Sequence, residues 1–280
     1  MENIYNYSLK KLEEYFLDKD LKKFKATQVF EWLYQKRVTS FDDMLNLKKD
    51  LIEDLKKDFL FARLEIIAKK EDTDVKKYLF KLEDNNKIEA VLMHHDYGDS
   101  LCVSTQVGCN MGCTFCESGR LKKVRNLTVA EMVLQILEIE KDLNMRISHL
   151  VLMGIGEPLD NFDNVMDFLD IVKQSKGINI GSRHITVSTS GLIPGIKEFM
   201  IRQNQVNLAI SLHAPNDVLR SQLMPVNKAY PLNDLISVLK DYIKATNRRI
   251  TFEYIMLKGI NDSDECAYEL SNFLKGILCY

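Results

Sequence analysis

The sequence predicts an α/β fold on a parallel sheet, preceded by a helical accessory region. Three observations carry that prediction. From His149 onward, short apolar runs ending in glycine or proline alternate with amphipathic stretches, the pattern of parallel strands joined by crossover helices. Before about residue 60, apolar residues recur at helical spacing. From Arg63 the alternation has a period of two, which marks strands.

Size and composition bound the reading. The chain has 280 residues, 46% hydrophobic and 28% charged, with a formal net charge of −2. That describes an ordinary globular protein with ample core, one large domain or a core plus a small accessory domain. No global basic excess advertises nucleic-acid binding, which leaves room only for a local basic patch. The N-terminus, Met-Glu-Asn-Ile-Tyr, lacks a basic region followed by an apolar stretch, and no run approaches a membrane span of roughly 20 apolar residues. Half of the six cysteines sit in one cluster, which points to metal in a reducing compartment and not to a disulfide framework. A cytoplasmic protein without membrane contact is expected.

The elements follow in order. Ser8 caps a first helix, and Thr27 precedes Gln28–Tyr34, whose apolar residues keep helical spacing. Ser40 or Asp42 starts another, with Phe41, Met44, Leu45 and Leu47 as its apolar face. Lysine pairs punctuate residues 1–90, but acidic residues balance them, so a solvated mixed-charge face is favoured over an RNA surface. Leu64–Ala68, Val75–Leu82 and Lys87–Met93 read as strands, the last two joined by a turn at Asn85-Asn86. The expected division is a helical accessory domain at 1–62, then a hairpin lead-in and core at 63–280.

In the core, Leu101 to Val107 reads as a strand, and Thr128-Val-Ala-Glu131 is a capping box opening a helix to about Leu143. Strands then end at Gly154-Ile-Gly-Glu157-Pro158, at Gly191, at Pro215 and at Gly259. Helices follow at Val165–Val172, near Ile196–Ile201, at Leu232–Ala245 and, capped by Asp262 and Glu265, to about Leu274. With the strand before Cys109 this makes five βα units. In parallel α/β barrels the C-terminal strand ends carry the chemistry, and the polar segments lie there.

The chemistry centres on Cys109-Asn-Met-Gly-Cys113-Thr-Phe-Cys116, a C-x3-C-x2-C run. Three thiolates on one short loop suit zinc or an iron–sulfur cluster. A structural zinc site is normally closed by four protein ligands, so zinc would require Cys102, His94 or His95 as the fourth. A cubane held by three cysteines leaves one iron open to another ligand. This spacing resembles that of the radical S-adenosylmethionine (SAM) enzymes, and Phe115 fits the aromatic those enzymes place near adenine.

The resemblance extends to a family. Cys102-Val-Ser-Thr-Gln-Val-Gly-Cys109, Met153-Gly-Ile-Gly-Glu-Pro-Leu, Thr186-Val-Ser-Thr-Ser-Gly, Ser211-Leu-His-Ala-Pro-Asn-Asp, Leu223-Met-Pro-Val-Asn and Gly259-Ile-Asn-Asp resemble the RlmN/Cfr adenine methyltransferases. The similarity covers nearly the whole chain, including Phe30-Glu-Trp-Leu-Tyr. It implies an incomplete (βα)6 partial TIM barrel of the radical SAM type, with an N-terminal helical accessory domain and a β-hairpin region. It also implies methylation of carbon 2 of a specific adenine in 23S rRNA and in tRNA. Cys109, Cys113 and Cys116 would hold a [4Fe–4S] cluster whose open iron chelates SAM. Gly156, Glu157, Ser188, Ser211, Leu212 and His213 match SAM contacts. Cys102 matches a second catalytic cysteine that resolves a protein–RNA crosslink by forming a disulfide, and Glu89 a proton acceptor. An electron donor such as flavodoxin and a monomeric state complete what the resemblance implies.

In that family one SAM methylates a cysteine near the C-terminus. A second SAM, cleaved reductively, yields a radical that takes hydrogen from the methylated cysteine, and the resulting carbon radical adds to the adenine ring. The adenine must be presented unpaired or flipped out. This chain reaches Gly276-Ile-Leu-Cys-Tyr280, where the family begins its sixth strand. Neither Cys266 nor Cys279 matches the methyl carrier. The expectation is a C-terminally truncated RlmN-type chain, inactive in methylation. The alternatives are a Cfr-type carbon-8 methyltransferase, a radical SAM enzyme acting on another substrate, and an inactive RNA-binding paralogue with a structural metal. Gln106-Val-Gly108 and Gly156-Glu-Pro158 favour carbon 2. The basic loop Arg120, Lys122, Lys123 and Arg125 reads either as a phosphate contact or as a solvated loop.

Overall fold

The computed structural model describes residues 1–203 and 205–280. The chain divides into two units that interleave in sequence. The first comprises Met1–Val103, Leu127–His149 and Asp163–Gly181, and the second Ser104–Asn126, Leu150–Phe162 and Ser182–Tyr280.

In the first unit, Ser8 Oγ accepts from Lys11 N and caps the helix Leu9–Asp18, which buries Leu12 and Phe16 one turn apart. The helix Phe24–Tyr34 starts three residues before Thr27 and buries Ala26, Val29, Phe30, Leu33 and Tyr34. The helix expected from Ser40 or Asp42 is a correction. Ser40 and Asp43 do form a capping box, but only the 3-10 turn Phe41–Asp43 follows it. Phe41 and Met44 are buried, three residues apart, while Leu45 is 84% exposed. One turn satisfies that spacing, and the chain leaves the helical region at Met44. The α-helix is Lys49–Asp58, which buries Leu51, Ile52 and Leu55.

Four antiparallel strands follow: Glu65–Glu71, Val75–Lys81, Lys87–His95 and Gly98–Cys102. Alternation puts Tyr78, Phe80, Ile88, Ala90, Leu92 and Leu101 on a buried face. Asn85, with φ +67°, takes the left-handed position of the turn. Thr128 and Glu131 form the expected capping box on Val129–Leu143, and Asn144 ends that helix in the left-handed region. Its acidic residues Glu138 and Glu140 are buried, and each has an arginine: Arg63 lies 2.6 Å from Glu138, and Arg37 donates to Glu140. The helix Phe162–Lys173 completes this unit.

The second unit contains the parallel sheet. Its strands are His149–Leu152, Ile185–Thr189, Asn207–Ser211 and Thr251–Glu253, each hydrogen-bonded to the next in parallel. Residues 278–280 run beside the fourth: Tyr280 N donates to Ile250 O at 2.9 Å and Phe252 N to Tyr280 O at 3.1 Å. The helices Ile193–Arg202, Asp217–Leu223 and Leu232–Thr246 lie between the strands in sequence, and Asp264–Leu274, capped by Ser263 and not by Asp262, follows the fourth. This is the strand-and-crossover arrangement of a partial TIM barrel. The run Leu101–Val107, expected as one strand, is broken. Gly98–Cys102 pairs in the first unit, while Gln106–Val107 pairs antiparallel with Arg125–Asn126. The break has a cause, because Thr105 N and Gln106 N both donate to Ile155 O. Among the described residues, no helix is long and apolar enough to cross a membrane.

Candidate active site

The cysteine loop is fixed by backbone geometry. Gly108 has φ +73°, and a Cβ there would lie 2.2 Å from Lys122 O, so only glycine lets the loop close. Cys109 N donates to Leu121 O at 3.0 Å, and Thr114 N to Leu223 O at 2.9 Å. The basic segment mostly builds this loop. Lys123 Nζ lies 2.7 Å from Asp160, Arg125 donates to Asn126 O at 3.1 Å, and Arg120 lies 3.3 Å from Glu117. Lys122 is exposed.

The three thiols border one cleft together with Phe115, Gly156, Glu157, Ser188, Ser211, His213 and Glu253. Burial pushes the Cys113 thiol up to about 12, with Cys109 and Cys116 adding to it, and burial raises Cys109 as well. Without metal, Cys109 and Cys113 therefore stay protonated at neutral pH, and a metal must displace those protons. Among the described residues, no three His, Cys, Asp or Glu side chains converge on a single metal ion. Three cysteines on one loop fit a cluster, whose cysteines ligate different irons. The site holds about 160 Å³. A larger hollow of about 540 Å³, near Arg183, Thr186 and Arg248, is lined by no thiol, carboxylate or imidazole. Chemistry, not volume, selects the cleft.

Behind the thiols, Gly156 has φ +112°, and a Cβ there would sit 2.6 Å from Gln106 Cβ. Gln106 is fully buried. Its Nε2 donates to Asn126 Oδ1 and Asp160 Oδ2 at 2.9 and 2.8 Å, and its Oε1 accepts from Glu157 N at 2.9 Å. Glu157 is 2% exposed, and both its oxygens are engaged: Oε1 accepts from Leu159 N at 3.1 Å, Oε2 from Ser190 N at 2.7 Å. Burial raises its pKa despite these donors.

The far wall comes from the other strand ends. Ser188 Oγ and Ser211 Oγ both donate to Glu253 Oε2, at 3.2 and 3.3 Å. Leu212 is buried and engaged through its backbone: its N donates to Glu253 O at 3.0 Å, and its O accepts from Arg220 Nε at 3.1 Å. Sequence reasoning missed Glu253 and Arg220, which organise this wall, and singled out Gln106 only as part of a motif, not for its bonds to Glu157 N, Asn126 and Asp160. Arg220 is fully buried and also donates to Ser190 O, Ser211 O and Asn227 Oδ1, at 2.7, 3.0 and 2.9 Å. For Glu253 the available signal was a charged residue within the strand Thr251–Glu253, and for Arg220 there was none.

His213 adopts φ +56°. Its Nδ1 accepts from Ile255 N at 3.0 Å, its carbonyl accepts from Asn261 Nδ2 at 2.8 Å, and its ring meets Phe115 edge-on at 4.8 Å. Accepting at Nδ1 fixes the neutral tautomer with the proton on Nε2. Burial lowers the pKa from 6.5 to about 4, with Arg220 adding to the shift. Because the folded value lies below the unfolded one, the unfolded chain binds the proton first as pH falls. His213 therefore contributes stability above pH 6.5 that is lost between there and about pH 4, on the order of 3 kcal/mol. Urea unfolding at several pH values should show His213→Asn, which tolerates the left-handed backbone, with a flatter profile. An unchanged slope would place the protonation elsewhere.

Two expected site residues lie on the antiparallel sheet of the first unit. Cys102 faces Val91 across the strands, and Glu89 lies two residues from Val91, so both project from one sheet face. The Glu89 carboxylate is 2.7 Å from Lys77 Nζ, a partner the sequence did not announce.

Comparison with known proteins converges on one family. Residues 103–270 match the Radical SAM superfamily, and residues 2–60 match the ribosomal RNA large subunit methyltransferase N-terminal domain. A Streptococcus suis protein named as a probable dual-specificity RNA methyltransferase RlmN is 54% identical over 98% of this chain and 76% of its own length. A Bacillus subtilis protein of the same name is 51% identical over 99% of this chain and 78% of its own. The crystal structure of a radical SAM methyltransferase from Sphaerobacter thermophilus superposes with a TM-score of 0.93 at 39% identity, over 100% of this chain and 84% of that one. A loop of three thiols in a cleft at the ends of parallel strands agrees with these matches, and the chain belongs to the RlmN family of the radical SAM superfamily.

Proposed function

We propose that this chain serves the methylation of carbon 2 of an adenine in 23S rRNA and in tRNA, with a [4Fe–4S] cluster and SAM in the cleft. Cys109, Cys113 and Cys116 would hold the cluster. One observation carries the reading: three thiols and a wall of hydroxyl and carboxylate oxygens line a single cleft at the C-terminal strand ends. When bound, the cluster and SAM supply the electron and the hydrogen-abstracting radical, the hard step that side chains cannot perform.

The chain's own residues position and shield. Gly156 borders the cleft, and its missing Cβ leaves room for Gln106 packed behind it. Glu157, tied to Leu159 N and Ser190 N, fixes the Gly154–Pro158 segment. Ser188, Ser211 and His213 face the nucleoside portion, and Phe115 against His213 closes an apolar side. Glu89 would accept the proton released from the adenine ring, and the Cys102 thiolate would attack the sulfur of the crosslinking cysteine, so that an S–S bond forms as the sulfur–carbon bond to the RNA breaks. A cytoplasmic setting, a flavodoxin-type electron donor and a monomer belong to the same reading.

The test is genetic and chemical. Deleting the gene that encodes this chain should remove 2-methyladenosine from digested 23S rRNA and tRNA, measured by mass spectrometry. Restoring the gene should return it. Unchanged 2-methyladenosine would sink the reading, and loss of 8-methyladenosine instead would move the reaction to carbon 8.

A further inference from the structure

Two carboxylates border the cleft, and they are not equivalent. Glu157 is spent on the protein, since each of its oxygens accepts a backbone N–H. Glu253 accepts only the Ser188 and Ser211 hydroxyls, both through Oε2. Among the described residues, no group donates to Oε1 and no cation pairs with the carboxylate. Strand register explains the placement. Ser211 and Glu253 are direct partners, and Ser188 pairs with Ala209, two residues before Ser211. All three side chains therefore project from the same sheet face.

Hydrogen-bond polarity then restricts the ligand. A serine hydroxyl has one proton. With both protons committed to Glu253, Ser188 and Ser211 can only accept from a ligand, as Glu253 itself can. Toward a ligand these three groups only accept, so their complement is a group bearing neighbouring O–H or N–H donors, and among uncharged groups a vicinal diol offers two.

We propose that Glu253 is a ligand-contacting, specificity-determining residue: with Ser188 and Ser211 it takes the 2′- and 3′-hydroxyls of the ribose. It, and not Glu157, is the carboxylate offered to the ligand. This rests on the reading that SAM occupies the cleft. Glu253 also sets the wall's shape through its backbone, since its carbonyl accepts from Leu212 N and His213 N at 3.0 and 3.2 Å. That contact survives side-chain substitution, so Glu253→Gln should fold. The glutamine amide would place N–H donors toward the serines or the ligand and break the acceptor wall.

Titration calorimetry with S-adenosylhomocysteine and its 2′-deoxy and 3′-deoxy counterparts tests this on the reconstituted protein, without turnover. The unsubstituted protein should bind each deoxy analogue about tenfold more weakly, the equivalent of one charge-assisted hydrogen bond. Glu253→Gln should lose about tenfold in affinity for S-adenosylhomocysteine and discriminate little between it and the analogues. A glutamine variant that binds as the original does and still rejects the deoxy analogues overturns the proposal. So does an unsubstituted protein that binds all three ligands equally, a result independent of any variant. Failure of the unsubstituted protein to bind S-adenosylhomocysteine or SAM at all would instead overturn the reading of the cleft beneath it.

Discussion

Alanine at any one of Cys109, Cys113 or Cys116 is expected to abolish the cluster. Anaerobically reconstituted protein should carry about four irons and four sulfides per chain, and each variant should fall close to zero and lose the brown chromophore. The effect should be all-or-none, because a cubane with a single iron open for SAM needs a cysteine on each of its other three irons. The loop itself should persist. It is held by Cys109 N on Leu121 O, Thr114 N on Leu223 O and the obligatory glycine at 108, none of which involves a thiol. Circular dichroism should therefore match between variants and the original while 5′-deoxyadenosine production under reduction disappears. Stoichiometric zinc without sulfide would return the loop to a structural site, and retained iron in one variant would show that its cysteine is not a ligand.

Local signals in the sequence were read well. The Ser8 cap, the Thr128–Glu131 box and the period-two strands each depend on residues a few positions apart, and each stands in the structure. Failures came where a local signal was real but the chain's course was not local. Ser40 and Asp43 cap a turn, yet burial of Phe41 and Met44 needs only that turn. Strand Leu101–Val107 looked continuous in its apolar pattern, but Ile155 O captures two of its amides from a distant loop. The site shows the same division. Ser188 and Ser211 lie 65 and 42 residues from Glu253, and only strand register brings the three together. Glu253, inside Thr-Phe-Glu-Tyr, reads as one polar position of a strand. Nothing nearby announces that two serines converge on it.

Arg220→Met is the substitution expected to cost most in folding free energy. The side chain is fully buried in the middle of Asp217–Leu223 and makes four hydrogen bonds, three of them to the carbonyls of Ser190, Ser211 and Leu212. Burial lowers its pKa only to about 10, so the guanidinium stays charged at neutral pH. Those carbonyls lie at or just past the ends of two parallel strands, where strand ladders run out of donors, and Arg220 replaces the missing N–H groups. Methionine fills the volume but donates nothing. Each buried carbonyl left unpaired costs about 1–3 kcal/mol, and water entering the space would recover part. A net loss of about 3–5 kcal/mol is expected by urea unfolding. Arg220→Lys should recover only a fraction, since one ammonium cannot reach acceptors spread around a planar fork. Affinity for S-adenosylhomocysteine should fall in both variants, because the Ser211–His213 turn loses its anchor. A methionine variant within about 1 kcal/mol of the original would mean that other donors satisfy these carbonyls and that Arg220 does not hold the strand ends together.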